Sequence, residues 1–283
     1  VFAGAGYFLG VHAPGKKGLN NFLAATHHAK LCQAQGARVI KSLQHKSSVG
    51  TTFSCSHIEP FRNNEKDILA AKKVDALLNR LFIEPLLGLG YPLTDLKILN
   101  RIEKFVKQDD EKNMAFNMDF IGVQNYTREM VSHTTFMPFI KAKIIKANRR
   151  NVETTLMNWE IYPESIYNIL KKFSAYANMP PLMVTENGAA FKEYVVDDKV
   201  DDPKRVKYIK DIISQVLRAR HEGVNVTGYF IWTFLDNFEW AEGYYPRFGL
   251  VYVDFETQKR IVKSSGSWYA KFLKSKVFEV VDH

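Results

Sequence analysis

Cysteine is scarce in this chain of 283 residues: only Cys32 and Cys55 occur, with no C-x-x-C spacing. That favours two free thiols in a reducing compartment over a disulfide, and it leaves no Cys-rich zinc framework. Long hydrophobic runs are missing as well. No stretch reaches the ~18 apolar residues of a membrane span, so no membrane partner is expected. The N-terminal V-F-A-G-A-G-Y-F-L-G has neither a charged leader region nor an initiating Met, and does not fit a signal peptide. No G-x-G-x-x-G or G-x-x-x-x-G-K-[ST] turn is present, which argues against dinucleotide and P-loop folds. No H-E-x-x-H, Cys/His quartet or D-x-D-x-D-G loop is present, so neither a metal nor a cofactor is expected. The pair His27-His28 is expected to be structural. No internal repeat and no low-complexity segment is found.

What is present describes a globular chain, with 46% hydrophobic and 13% aromatic residues. The net charge of +9 could suit a nucleic acid. The positive residues are scattered, however. Their densest run, K-A-K-I-I-K-A-N-R-R at 141–150, has no interleaved aromatics and is expected to be a solvated loop or hairpin. No nucleic-acid partner is therefore expected.

Hydrophobic periodicity predicts helices over 19–40, 65–81, 164–175, 202–221 and 265–273. The stripe Leu23, His27, Leu31, Ala34 marks the buried face of the first. Nearly continuous apolar runs predict strands over 48–55, 120–126, 182–185 and 226–234. Helices thus alternate with strands that end in polar or aromatic residues: Ser56-His57, Asn125-Tyr126, Glu186-Asn187 and the Trp232 region. Such clusters at the carboxyl ends of parallel strands are where α/β folds build sites. An α/β fold of the (β/α) barrel kind is favoured over a doubly wound sheet, although four strands cannot close a barrel. The segments 128–155 and 194–199 are expected to be flexible loops at the same rim.

Two stretches carry chemistry. In P-L-M-V-T-E-N-G-A-A, residues 181–190, a strand runs straight into Glu186. A surface charge or a helix cap is the plain reading; a carboxylate fixed by a rigid strand can also be a well-placed nucleophile. In G-Y-F-I-W-T-F-L-D-N-F-E-W-A-E-G, residues 228–243, two of the four tryptophans, Trp232 and Trp240, alternate with Asp236, Glu239 and Glu242. Indole faces pack on the C–H face of a pyranose and carboxylates accept from its hydroxyls, so the mixture suits a sugar. A core strand with incidental aromatics is the alternative, but it would leave buried acids in need of partners.

V-T-E-N-G-A-A, W-T-F-L-D-N-F-E-W-A-E-G and R-F-G-L-V-Y-V-D-F-E-T-Q-K-R together resemble family 1 glycoside hydrolases, the β-glucosidase group. D-F-I-G-V-Q-N-Y-T, M-N-W-E-I-Y-P-E and Y-F-L-G-V-H-A-P-G resemble further segments of that family, in the family's order. The resemblance implies a (β/α)8 TIM barrel of which residues 1–283 form a single domain, the C-terminal part from about strand five to strand eight. It implies hydrolysis of terminal β-D-glycosides, a β-glucoside or related oligosaccharide, with retention through a covalent glycosyl-enzyme. Glu186 matches the nucleophile and Tyr126 the residue that hydrogen-bonds it and helps keep it ionised. Trp232 matches a platform under the sugar. Glu239 and Trp240 match residues that bind its hydroxyls. Phe248 matches a wall of the same pocket, and Trp159 the leaving-group side. Gln124 and Asn125 depart from the family's Asn-Tyr at those positions; the longer Gln124 amide could still reach across the site. Glu242 stands where the phospho-sugar branch holds a phosphate, so an unphosphorylated glycone is expected.

The same resemblance implies an acid/base Glu in an N-E-P motif about three residues before Val1. No N-E-P occurs in the chain, and Glu59-Pro60 follows the wrong strand. The chain is therefore expected to be inactive alone, with the missing N-terminal half of the barrel as its partner. A sugar-binding pseudoenzyme is the rival, but would not need T-E-N-G intact. The N-x-[ST] matches at Asn125 and Asn225 fall in predicted strands, where a glycan could not fit, and lend no support to secretion. The compartment is open, with the cytoplasm favoured.

Overall fold

The computed structural model describes residues 2–275. The chain divides into two compact units: Val1–Val123 with Glu129–Ile145 and Asn178–Pro181, and Gln124–Arg128 with Lys146–Ala177 and Leu182–His283. The single domain expected over 1–283 takes in residues 1 and 276–283, which lie outside the described residues.

The first unit opens with a π-helical turn, Gly4–Leu9, and the long helix α1, Leu19–Leu43. The face of α1 that is buried runs Leu23, His27, Lys30, Ala34, Ala37, with Phe22 and Thr26 beside it. Leu31, expected on that stripe, is only half-buried; the one-residue shift to Lys30 follows the 3.6-residue period. His27 is fully buried, with Nδ1 2.9 Å from the Tyr91 hydroxyl and Nε2 3.0 Å from Asp110 Oδ2. Both ring nitrogens are thus spent on structure. Lys30 Nζ donates to Gln33 Oε1 at 2.7 Å and lies over the rings of Phe53 and Phe82; burial pulls its ammonium down to about 7.

Strand β1, Gly50–Ser54, is followed at once by β2, His57–Pro60. Ser56-His57 follows the end of β1, as expected from sequence, but His57 also opens a second strand, and it pairs with Glu59 at 2.6 Å. Helix α2, Glu65–Asp75, is capped by the Asn64 side chain, which accepts from Asp67 N. The single helix expected over 65–81 is present and continuous to Ile83, passing from α2 through a π-helical turn, Ala76–Arg80, into the short α3, Leu81–Ile83. The turn contains buried Asn79, whose amide exchanges hydrogen bonds with the Ser56 backbone. A 3-10 segment, Lys97–Phe105, and α4, Asp110–Met114, were not legible from periodicity. Strand β3, Phe120–Gln124, neighbours β1, and β4, Arg128–His133, pairs antiparallel with β5, Ala142–Ile144. The 128–155 segment expected as a flexible loop therefore contains a hairpin. It is held because Val131 and Ala142 pack on Ala70, Ala71 and Val74 of α2. The basic run 141–150 begins in this hairpin, as anticipated.

The second unit holds α5, Glu164–Ser174; β6, Leu182–Asn187; α6, Pro203–His221; β7, Val226–Ile231; the pair β8, Val251–Val253, and β9, Arg260–Val262; and α7, Ser264–Ser275. Strands β6 and β7 run parallel, with α6 as the connection between them, so the fold is α/β with a parallel sheet. Helix α6 starts on Pro203, whose missing N–H costs nothing in a first turn, and buries Tyr208, Ile209, Ile212, Val216 and Ala219 on one face. Asn225 immediately precedes β7 at an exposed position, not in a strand as expected, so burial does not exclude a glycan there; Asn125 is buried. Among the described residues no helix is long and apolar enough to cross a membrane. Cys32 is exposed and Cys55 buried, both as free thiols.

Candidate active site

β6 delivers Glu186 at its end, half-buried, with Asn187 next to it. The chain leaving β3 runs alongside, Asn125 N donating to Glu186 O at 3.1 Å. That backbone contact brings two side-chain donors to the carboxylate. Gln124 Nε2 donates to Oε1 at 2.7 Å and the Tyr126 hydroxyl to Oε2 at 2.9 Å. Each oxygen of Glu186 thus has its own donor, and the Gln124 amide does reach the site.

Burial and the nearby Glu239 carboxylate raise the Glu186 pKa, while the Tyr126 hydrogen bond opposes them. Burial dominates, so Glu186 sits above the usual carboxylate range despite its donors. The Tyr126 hydroxyl is pushed up by burial, then by Glu186 and Glu239, and stays protonated as a donor.

Behind Glu186, Asn187 is fully buried and fully satisfied. Its Nδ2 donates to Asn125 O at 2.8 Å and to the Tyr208 hydroxyl at 3.0 Å, and its Oδ1 accepts from Tyr229 at 2.9 Å. Trp232 N donates to Asn187 O at 2.9 Å. Gly188 must be a glycine here. A Cβ on it would stand 1.9 Å from the Trp232 carbonyl oxygen, well inside any non-bonded contact. The Trp232 indole Nε1 donates to Glu239 Oε2 at 3.3 Å, so ring and carboxylate sit together. Trp240 is 69% exposed and at φ +48°, a left-handed conformation that costs a non-glycine residue of order 1–3 kcal/mol. Its indole is open to a ligand. Phe248 is buried, with Tyr126 and Trp159 at centroid distances of 6.4 and 6.1 Å; Tyr126 and Trp159 lie 5.1 Å apart. The structure therefore brings Gln124, Tyr126, Trp159, Glu186 and Phe248 into one cluster and Trp232 with Glu239 into a second, joined through Asn187.

Sequence reasoning did not single out the supports. Glu160, next to Trp159, is buried and held by Arg128 at 2.9 Å and Arg150 at 2.7 Å, while Arg128 stacks over Tyr162. The acid in W-E-I-Y was the signal available for it. Asn187, Tyr208 and Tyr229 show no signal beyond the T-E-N-G motif itself. No group of three or more His, Cys, Asp or Glu side chains among the described residues could hold a metal ion. A half-buried carboxylate with two donors and a second carboxylate near enough to raise its pKa can attack an electrophilic carbon, and the indole and carboxylate paired at Trp232 and Glu239 can bind a polyhydroxylated ring.

The family model described as "Glycosyl hydrolase family 1" matches residues 1–278. The chain belongs to glycosyl hydrolase family 1. Among relatives in the family, it is 39% identical over 281 residues to Beta-glucosidase A of Thermotoga maritima, covering 99% of this chain and 62% of the relative. It is 36% identical to Beta-glucosidase A of Acetivibrio thermocellus, covering 96% and 61%. The solved family 1 β-glucosidase from Thermotoga maritima superposes with a TM-score of 0.92 at 38% identity, covering 98% of this chain and 62% of that one; structures in complex with deoxynojirimycin and glucoimidazole match as well. The chain thus spans about 62% of the length of these family 1 relatives.

Proposed function

We propose that this chain carries the nucleophile and the sugar-binding wall of a retaining β-glycosidase acting on terminal, unphosphorylated β-D-glycosides of the glucoside type. The observation that carries it is the Glu186 carboxylate, each oxygen held by one donor, Gln124 and Tyr126. β6 and β7 are two strands of a (β/α)8 barrel to which this chain contributes about strands five to eight. Membership in family 1 and relatives named β-glucosidase support the reading.

In the first step a Glu186 oxygen attacks C1 of the sugar. The bond from C1 to the leaving oxygen breaks, and that oxygen departs with the electron pair and takes up a proton. In the second step water attacks C1 and gives a proton to a second carboxyl, which lost its own in the first step, while Glu186 leaves as a carboxylate. Tyr126 and Gln124 orient the attacking carboxylate. Trp232 lies under the ring, Glu239 accepts from its far hydroxyls and Trp240 donates to one of them. Trp159 and Phe248 wall the site, Trp159 toward the leaving group. Glu242 is exposed two residues beyond Trp240, and its carboxylate disfavours a phosphorylated sugar. The proton donor is a second carboxyl, ~5–5.5 Å from the first in retaining enzymes; the 283 residues contain no N-E-P segment to supply it.

A leaving group that needs no proton isolates the half of the chemistry assigned to this chain. 2,4-Dinitrophenyl 2-deoxy-2-fluoro-β-D-glucoside should add one fluoroglucosyl group to the peptide bearing Glu186, read by mass spectrometry, and a glycone-site inhibitor should suppress it. An unactivated alkyl β-glucoside should not turn over. A label on another residue, or no label, overturns the assignment.

A further inference from the structure

Behind the site lies a buried chain of alternating charges that no step above uses. Lys263, between β9 and α7, is fully buried, with Nζ 2.9 Å from Asp236 Oδ1 and in close contact with Glu193 Oε1. Burial pulls its ammonium below the usual lysine range and Arg205 adds to that, while Glu193 and Asp236 oppose both. Glu193 is held from its other oxygen by Arg205 at 2.8 Å, and Arg205 also pairs with Asp202, donates to Ala189 O at 3.2 Å and to Arg247 O at 2.6 Å. Asp236 takes Arg247 at 2.7 Å and the backbone N–H groups of Gly249 and Val253 at 2.9 and 3.3 Å. Three cations and three carboxylates are thus paired, all but the partly exposed Arg247 out of water, where removing one partner strands the other.

The two carboxylates on Lys263 come from different loops. Glu193 follows β6 and belongs to the segment leaving Glu186; Asp236 lies between Trp232 and Glu239. Asp236 also pins Gly249, the residue after Phe248, where a Cβ would stand 2.3 Å from Asp236 N. We propose that Lys263 is a positioning residue: it ties the loop leaving Glu186 to the loop carrying Trp232, Glu239 and Trp240, and so sets from behind how the bound sugar's C1 meets the Glu186 oxygen. The inference rests on the proposed function and deepens it. A sugar docked on Trp232 and Glu239 reaches the carboxylate only if the two loops keep their spacing, and a misplacement of ~1 Å can cost on the order of 100-fold in rate.

The test measures labelling of Glu186 by the dinitrophenyl fluoroglucoside against reagent concentration, separating the saturating rate from the half-saturating concentration, with thermal midpoints alongside. Lys263→Met should lower both the midpoint and the saturating rate, the rate by at least about tenfold. Lys263→Met with Glu193→Gln restores the charge balance, so it should recover much of the midpoint without recovering the rate, because the tie between the loops is still gone. An unchanged rate in Lys263→Met, or a double variant that regains both quantities, overturns the proposal and leaves Lys263 a structural ion pair. If Lys263→Met does not fold, the double variant decides by the same criterion. Failure of the unsubstituted protein to label at Glu186 sinks the proposed function itself, and this inference with it, and is told apart because no variant is involved.

Discussion

Gln124 donates its amide to one oxygen of Glu186 at 2.7 Å while Tyr126 occupies the other at 2.9 Å. A hydrogen bond to a charged acceptor contributes roughly 1.5–3 kcal/mol. Gln124→Leu keeps the side chain's bulk and removes the donor. Labelling of Glu186 should slow by about 10- to 100-fold. Gln124→Asn shortens the reach by one methylene and should fall between the two. A Leu variant labelled at the unsubstituted rate would show that the contact does not hold the reactive carboxylate.

The pH dependence should move in opposite directions for the two neighbours of Glu186. Attack needs the carboxylate, so the rate falls as pH drops through the Glu186 pKa. Burial and Glu239 raise that pKa and Tyr126 lowers it. Tyr126→Phe removes a lowering influence, so the acid limb should shift to higher pH. Glu239→Gln removes a raising one, so the limb should shift to lower pH, alongside weaker sugar binding. Limbs that move together would contradict this balance of charges.

Much of the site was legible because it is written in contiguous segments. T-E-N-G places Glu186 and Asn187 at one strand end, and Q-N-Y places Gln124 and Tyr126 two residues apart, on one side of an extended chain. What joins the segments was not legible. Lys263 and Glu193 are 70 positions apart and meet only when α6 and β7 are folded between them; the lysine in R-I-V-K-S-S has no local mark that distinguishes it from a surface charge. In the fold, periodicity and apolar runs gave α5, β6, α6, β7 and α7 of the second unit to within a few residues, but not the short pair β8 and β9. The π-helical turn inside the 65–83 helix, around buried Asn79, and the β4–β5 hairpin, held through Val131, escaped because buried polar groups and tertiary packing outweigh local pattern there.

Acid should unfold the first unit partly through Asp67. The Arg62 hydrogen bond, with His133 N–H, the Arg62 charge and Ser132, holds its carboxyl down to about 2 against burial. Its folded pKa lies below the unfolded value of ~3.9. The stabilisation is therefore present above pH ~4 and lost as pH falls toward 2. Asp67→Asn should lower the thermal midpoint at pH 6 and flatten its decline between pH 4 and 2. An equally steep decline in the variant would place the acid sensitivity elsewhere.

Gly188 offers the severest single test of how the site is built. The carbon added by Gly188→Ala would lie 1.9 Å from the Trp232 carbonyl oxygen and 3.6 Å from the Phe248 ring. Backbone cannot rotate away as a flexible side chain can, so β6 and the Trp232 segment must separate. The separation would stretch the 2.9 Å bond from Trp232 N to Asn187 O, and with it the tie between Trp232 and Glu186. Overpacking typically costs about 1–3 kcal/mol, and a backbone clash belongs at or above the upper end. The thermal midpoint should drop by several degrees, and the folded fraction should lose labelling out of proportion to that drop. Ala189→Gly, one residue on, removes a methyl group instead of adding one and should lower the midpoint while sparing the labelling rate. Comparable labelling losses in both variants would mean that the loop tolerates no change at all, and that the Gly188–Trp232 approach is not what sets the geometry.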